Sequence, residues 1–224
     1  MIVAKPVQWD PCWRVIPARY AEDLVFHKIS DPEDYSIISD LEQLTNDRVR
    51  MDKGEIPSFP HGDLPKGVGA DLIMAAFSNR TLSRFSDATY GVCYVAHDLG
   101  TAIEETRHKR AEFMSHTKQP AMELKMRVLK AELDSHLHDI RGMQKTLPEV
   151  YNKTSYGDSQ AFGKQLHGEG SEGIVYDSVR HDKGQCAAIF RPATLRNCRR
   201  DKGLVYQWDG TKIDKVLELK DYGG

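Results

Sequence analysis

Apolar positions in this chain come in short runs whose period shifts between that of a strand and that of a helix, in no steady alternation. Residues 12–16 (CWRVI) alternate and carry bulky β-formers, which predicts a strand that Pro17 ends. Ser30-Asp31-Pro32-Glu33 reads as a helix opening, with Ile37, Ile38, Leu41 and Leu44 at helical spacing behind it. The glycines and prolines of residues 52–68 predict a long loop. Residues 72–77 (LIMAAF) predict a short buried helix, since alanine and methionine favour helix over strand. A polar stretch, 79–89, leads into a strand over 91–96 (GVCYVA). Asp98 or Thr101 can cap the following helix, which runs to about Ser115 with Glu104 and Glu105 near its positive end.

Further on, residues 121–129 alternate so that Met122, Leu124, Met126 and Val128 share a face, a half-buried strand. Residues 133–140 predict a separate short strand, and 156–167 a helix. Residues 173–179 and 186–190 predict two strands joined by a tight polar link, hence a hairpin. Residues 204–208 and 216–219 predict two more strands around an Asp209-Gly210 turn. Short strands with irregular helices between them define an α+β class. One domain over residues 1–224 is expected, with an extension somewhere within 20–70.

Composition narrows the function classes. The 224 residues are 40% hydrophobic and 29% charged, an ordinary globular balance. A net charge of −2 argues against a chain built to coat nucleic acid. Arg196, Arg199 and Arg200 form the best basic cluster, and their spacing reads as a solvated loop. Cys12, Cys93, Cys186 and Cys198 form no C-x-x-C pair, so neither a disulfide framework nor a zinc site is predicted. The first residues lack the pattern of a signal peptide, and no apolar run is long enough to span a bilayer, so a cytoplasmic protein is expected.

Candidate chemistry concentrates in residues 83–110, where Arg84, Tyr94 and Glu105 fall on a predicted loop, strand and helix. An arginine fork can clamp phosphate or pyrophosphate. Tyrosine offers a flat face or a hydroxyl. A glutamate in the first turns of a helix can bind sugar hydroxyls and stabilise positive charge at an anomeric carbon. The bland readings are a surface arginine, a core tyrosine and a glutamate placed for the helix dipole. No phosphate-binding glycine loop, Walker sequence or nucleophile elbow is present. His136 and His138 would share a strand face, without partners that would make a metal site. Ser178, followed by Arg180 and His181, lacks the turn that would present a nucleophile.

RFSDATYGVCYVA followed by TAIEET resembles the core of the RES-domain family, toxins of RES–Xre toxin–antitoxin pairs. CWRVI, LTNDR, MAAF, SYGDSQAFGKQL, GEGSEGIVYDSVRHDKGQCAAIFRP and YQWDG add to the resemblance in the family's order, from about residue 13 to 210. Carried over, the family's arginine is Arg84, its tyrosine Tyr94, its glutamate Glu105 rather than Glu104, and its serine Ser178, with Ser159 as the competitor. Ser86 and Arg180 would join Arg84 and Tyr94 in binding the substrate. The chain departs from the family pattern at Lys109, where longer members have histidine, and at Gln185, often glutamate. The resemblance implies a fold like that of ADP-ribosyltransferase toxins, mixed sheets with flanking helices. It implies cleavage of the nicotinamide–ribose bond of NAD+, consumed as substrate with phosphate as likely acceptor, and no metal or cofactor. An Xre-type helix-turn-helix antitoxin is the implied partner, the only route to nucleic acid, and a homodimer stays open. ADP-ribose transfer to a protein, or a non-catalytic binding module, are the alternatives.

Overall fold

The structure, a computed structural model, describes residues 2–20 and 63–220. The helix predicted from Ser30 onward and most of the predicted 52–68 loop lie outside the described residues. The elements are β1 (Ala4–Pro17), α1 (Ala70–Ser78), β2 (Leu82–Ser83), β3 (Ser86–Asp87), β4 (Cys93–Ala96), α2 (Leu99–Ser115), β5 (Met122–Asp139), α3 (Gly157–Gly168), β6 (Gly173–Asp177), β7 (Gln185–Ile189), β8 (Leu195–Trp208) and β9 (Ile213–Leu219). This is an α+β fold with helices flanking a mixed sheet.

Seven strands form one sheet in the order β1-β4-β7-β6-β5-β8-β9, and β1 also pairs with β5. That extra pairing closes β1, β4, β7, β6 and β5 into a ring, which β8 and β9 extend from β5. All pairs are antiparallel except β5 with β6, which run parallel at His138↔Ile174 and Asp139↔Val175. The predicted β6–β7 hairpin is present, registered from Gly173↔Ile189 to Asp177↔Gln185. Both strands are continuous apolar runs because both faces are covered. Ile174, Tyr176, Cys186 and Ala188 join one core beneath α2 and α3. Val175, Ala187 and Ile189 join a second core with Ile73 and Phe77 of α1.

Two sequence expectations are corrected here. Residues 121–129 and 133–140 are not separate strands, because β5 runs unbroken through both. Its pairing to β8 shifts register between Arg127 and Leu129. The extra residue lies on β8, so side chains keep alternating between the two faces all along β5. Met126 and Val128 accordingly enter the first core, while Leu129, Ala131, Leu133 and Leu137 enter the second. The covered face changes near Leu129, from even to odd positions, so one strand looks like two. The second correction concerns Arg196, Arg199 and Arg200, which lie on β8 and not in a loop. Their side chains are exposed between the buried Leu195, Cys198 and Leu204, and Arg196 pairs with Glu132 at 2.8 Å. Among the described residues no helix is long and apolar enough to cross a membrane.

At the end of β5, Asp139 receives Arg141 Nε and Nη2, both at 2.9 Å. The Arg141 guanidinium holds the Asp139 carboxyl down at about 2, from an ordinary 3.8. A depressed folded-state value stabilises the fold above the ordinary value and loses that contribution as pH falls through the folded one. Asp139→Asn should therefore melt at a lower temperature than the parent at neutral pH. The difference should close as pH falls from about 4 to about 2; melts with a constant gap across that window would refute the assignment.

Candidate functional site

Arg84 sits in the short loop between β2 and β3, and it is buried at 9% exposure. A guanidinium that deep must be bonded to keep its charge. Its Nη1 donates to the carbonyls of Val150 (3.0 Å) and Asn152 (2.9 Å), and the group stacks over the Tyr156 ring at 4.8 Å. Nε and Nη2 meet no acceptor among the described residues. Tyr94, on β4, holds this loop from both sides. Its hydroxyl accepts from the Phe85 amide at 2.9 Å and shares a hydrogen bond with Ser83 Oγ at 2.8 Å. Ser83 and Phe85 flank Arg84, so the tyrosine sets the arginine's backbone. Burial pushes the Tyr94 phenol up to about 12.

From the other side α3 presses on the same loop. Gln160 donates to the Ser83 carbonyl at 2.9 Å. A methyl group on Gly163 would lie 2.4 Å from the Phe85 carbonyl oxygen, so only glycine permits this approach.

Glu105 is delivered by α2, whose N-cap is Asp98. The Asp98 carboxylate accepts from the Thr101 amide at 2.8 Å, resolving the choice of cap that the sequence left open. Glu104 turns away and pairs with Arg107 at 2.9 Å. Glu105 instead accepts the Ser178 hydroxyl at 2.6 Å, across 73 residues of sequence. The buried Cys186 thiol lies 3.9 Å from the same carboxylate oxygen. Burial, then the negative charge of Glu105, pushes that thiol well above its ordinary range.

Ser178 starts the turn between β6 and β7. Its Oγ accepts two amides, from Arg180 (3.0 Å) and His181 (2.9 Å). A hydroxyl has one proton, and with both amides occupying its oxygen that proton goes to Glu105. The serine and the carboxylate thus form a unit whose donor direction is set by backbone.

The loop side and the carboxylate side meet around Tyr176. This residue is 5% exposed. Its hydroxyl is raised first by burial, then by Cys186, Glu105 and Tyr94, while Arg84 pulls it down. One buried ring therefore feels the charge of both Glu105 and Arg84. Arg180 also bonds the Lys153 carbonyl, so the two arginines grip one segment, residues 150–153.

The remaining candidates separate clearly. Ser86 is 1% exposed; it donates to the Tyr90 carbonyl at 2.7 Å and accepts the Ala88 amide at 3.1 Å. Its hydroxyl is bonded within a turn. Ser159 is fully buried and bonds the Tyr156 carbonyl at 3.0 Å inside α3. The structure therefore puts Ser178, not Ser159, on the carboxylate. His138 Nδ1 bonds Ser171 Oγ at 2.8 Å. Tyr156, Tyr176 and Cys186 also belong to the site, and sequence reading passed over them. Tyr176 and Cys186 lie in apolar runs that look like plain core; their pairing across the hairpin sets Cys186 against Glu105 with Tyr176 opposite it.

The family model of the RES domain matches residues 64–209. An uncharacterized protein of Sinorhizobium fredii, y4oC, is 23% identical over 214 residues, covering 96% of this chain and 90% of that protein. Among solved structures, the M. tuberculosis MbcT–MbcA toxin–antitoxin complex contains a chain that aligns at a TM-score of 0.47 and 10% identity. The alignment covers 97% of this chain and 87% of that one.

Proposed function

This chain belongs to the RES domain family, and from that premise we propose that it is a toxin that degrades NAD+, with inorganic phosphate as acceptor. The observation that carries the reading is the Ser178 hydroxyl held on Glu105 at 2.6 Å, beside a loop that presents the buried Arg84. Cleaving the bond between nicotinamide and ribose sends the bonding electron pair to the pyridinium nitrogen, so nicotinamide leaves neutral. The leaving group needs no proton, and the demand falls on the positive charge that develops at the ribose carbon. A carboxylate of fixed orientation meets that demand. A phosphate oxygen then forms the new bond to the ribose carbon, giving ADP-ribose 1″-phosphate.

In this reading Glu105 stabilises the developing cation and the ribose hydroxyls, and Ser178 holds Glu105 in place. Arg84 offers Nε and Nη2 to the substrate's phosphates, Tyr94 supports that arginine and presents its ring, and Arg180 lines the same side. An antitoxin protein of the Xre type would restrain the activity in the cytoplasm.

The test is incubation of the purified protein with NAD+, with and without phosphate, following nicotinamide release. Phosphate-dependent loss of NAD+ is expected. Label from NAD+ accumulating on protein would assign ADP-ribose transfer instead, and no turnover in either assay would reject both enzymatic readings.

A further inference from the structure

We propose that the chain Asp98–Thr101–His181 is a latch that seats Ser178 on Glu105, which makes His181 a positioning residue of the reaction. The inference rests on the functional reading above for its catalytic consequence, and on hydrogen-bond geometry for its existence.

Thr101 is fully buried and lies one helical turn before Glu105, so the two side chains share a face of α2. The β6–β7 turn crosses that face and touches it twice. Ser178 meets Glu105, and His181 Nδ1 meets Thr101 Oγ at 2.8 Å. The turn itself is closed by Ser178 N to the Gly184 carbonyl (2.8 Å) and Gly184 N to the His181 carbonyl (3.1 Å). A methyl group on Gly184 would come within 2.5 Å of Thr101 Oγ and 3.0 Å of His181 Nδ1. The glycine is what lets the turn lie so close to the helix.

Counting protons fixes the direction of every bond. Thr101 Oγ is also 2.6 Å from Asp98 Oδ2. Burial alone would raise the Asp98 carboxyl, but the Thr101 hydroxyl and amide outweigh it and hold it below its ordinary value. As a carboxylate it only accepts, so the single Thr101 proton goes to Asp98. His181 must then supply the proton of the Nδ1 bond, which leaves Nε2 bare in the neutral ring. The same residue donates its amide to Ser178 Oγ at 2.9 Å. His181 therefore ties the serine's amide cradle to the helix that carries the carboxylate. Losing the Nδ1 bond frees the turn to move, and a displacement near 1 Å costs on the order of 100-fold in rate.

Four variants and one spectrum decide it. His181→Ala should lower kcat for NAD+ cleavage by about 10–100-fold, with KM within about twofold, because ligand contacts remain. His181→Asn keeps an N–H where Nδ1 stood and should recover most of that loss. Thr101→Val should behave like His181→Ala, and Thr101→Ser like the parent. Nitrogen NMR of the parent should show His181 as the Nδ1–H tautomer when neutral, a signature lost in Thr101→Val. The latch is overturned by an Nε2–H tautomer, by parental kcat in His181→Ala, or by His181→Asn as inactive as the alanine variant. That last result would mean the ring handles a proton itself. Should the parent leave NAD+ intact, the functional reading falls separately, and the tautomer still decides the latch.

Discussion

Glu105→Gln is expected to cut kcat for NAD+ cleavage by about 100- to 1,000-fold, the range for losing one aimed electrostatic stabiliser. The substitution isolates charge from geometry. A glutamine oxygen still accepts the Ser178 proton, so the 2.6 Å contact and the β6–β7 turn have no reason to move. The carboxylate that faces the developing ribose cation is gone. KM should change little, since a glutamine oxygen still accepts from the ribose hydroxyls. Ser178→Ala should also lower kcat, by less, because Glu105 keeps its charge and loses only its orientation. The double variant should be no worse than Glu105→Gln alone, as two residues acting as a unit are non-additive. Ser159→Ala offers the control, with its effect confined to the stability of α3. A Glu105→Gln protein that consumes NAD+ at the parental rate would mean that this carboxylate is not the stabilising group.

Arg84→Ala is expected to show a large effect of a different kind, on stability and on KM together. It leaves the carbonyls of Val150 and Asn152 without the donor they have at 3.0 and 2.9 Å, and removes the guanidinium from the Tyr156 ring. Bonds to a charged group contribute about 1.5–3 kcal/mol each, and unpaired buried acceptors add their desolvation cost. A net loss of about 3 kcal/mol lowers the melting temperature of a chain of this size by roughly 6–12 °C. Arg84→Lys should recover part of this, because an ammonium reaches a carbonyl but cannot match the fork. KM for NAD+ should rise in both. A melting temperature and KM both at parental values in Arg84→Ala would show that the arginine is neither a strut for residues 150–153 nor a phosphate clamp.

The legible parts of this protein are those governed by near neighbours in sequence. Apolar alternation located part of β1, and short runs of β-forming or apolar residues located β4, β6 and β7. Alanine and methionine marked α1, and Asp98 or Thr101 ahead of two glutamates marked the start of α2. The family pattern singled out Arg84, Tyr94, Glu105 and Ser178; in the fold Glu105 meets Ser178 while Glu104 pairs with Arg107. It also named Ser86, whose hydroxyl the fold bonds within a turn, a commitment that the sequence alone does not reveal. Sequence reading divided β5, because burial passes from one face of the strand to the other near Leu129, and no property of residues 127–129 announces which core will cover them.

What only the tertiary structure decided is how distant segments meet. The choice of Ser178 over Ser159 depends on the β6–β7 turn lying across α2, and that in turn needs Gly184 against Thr101 and the ring of strands closed by β1 and β5. Tyr176 feels the charge of both groups because hairpin register sets it opposite Cys186. Arg84 is held by carbonyls of a segment beyond β5. Periodicity records what one residue shares with those a few positions away. Contacts across 73 residues depend on register, closure and steric clearance, which are properties of the assembled sheet.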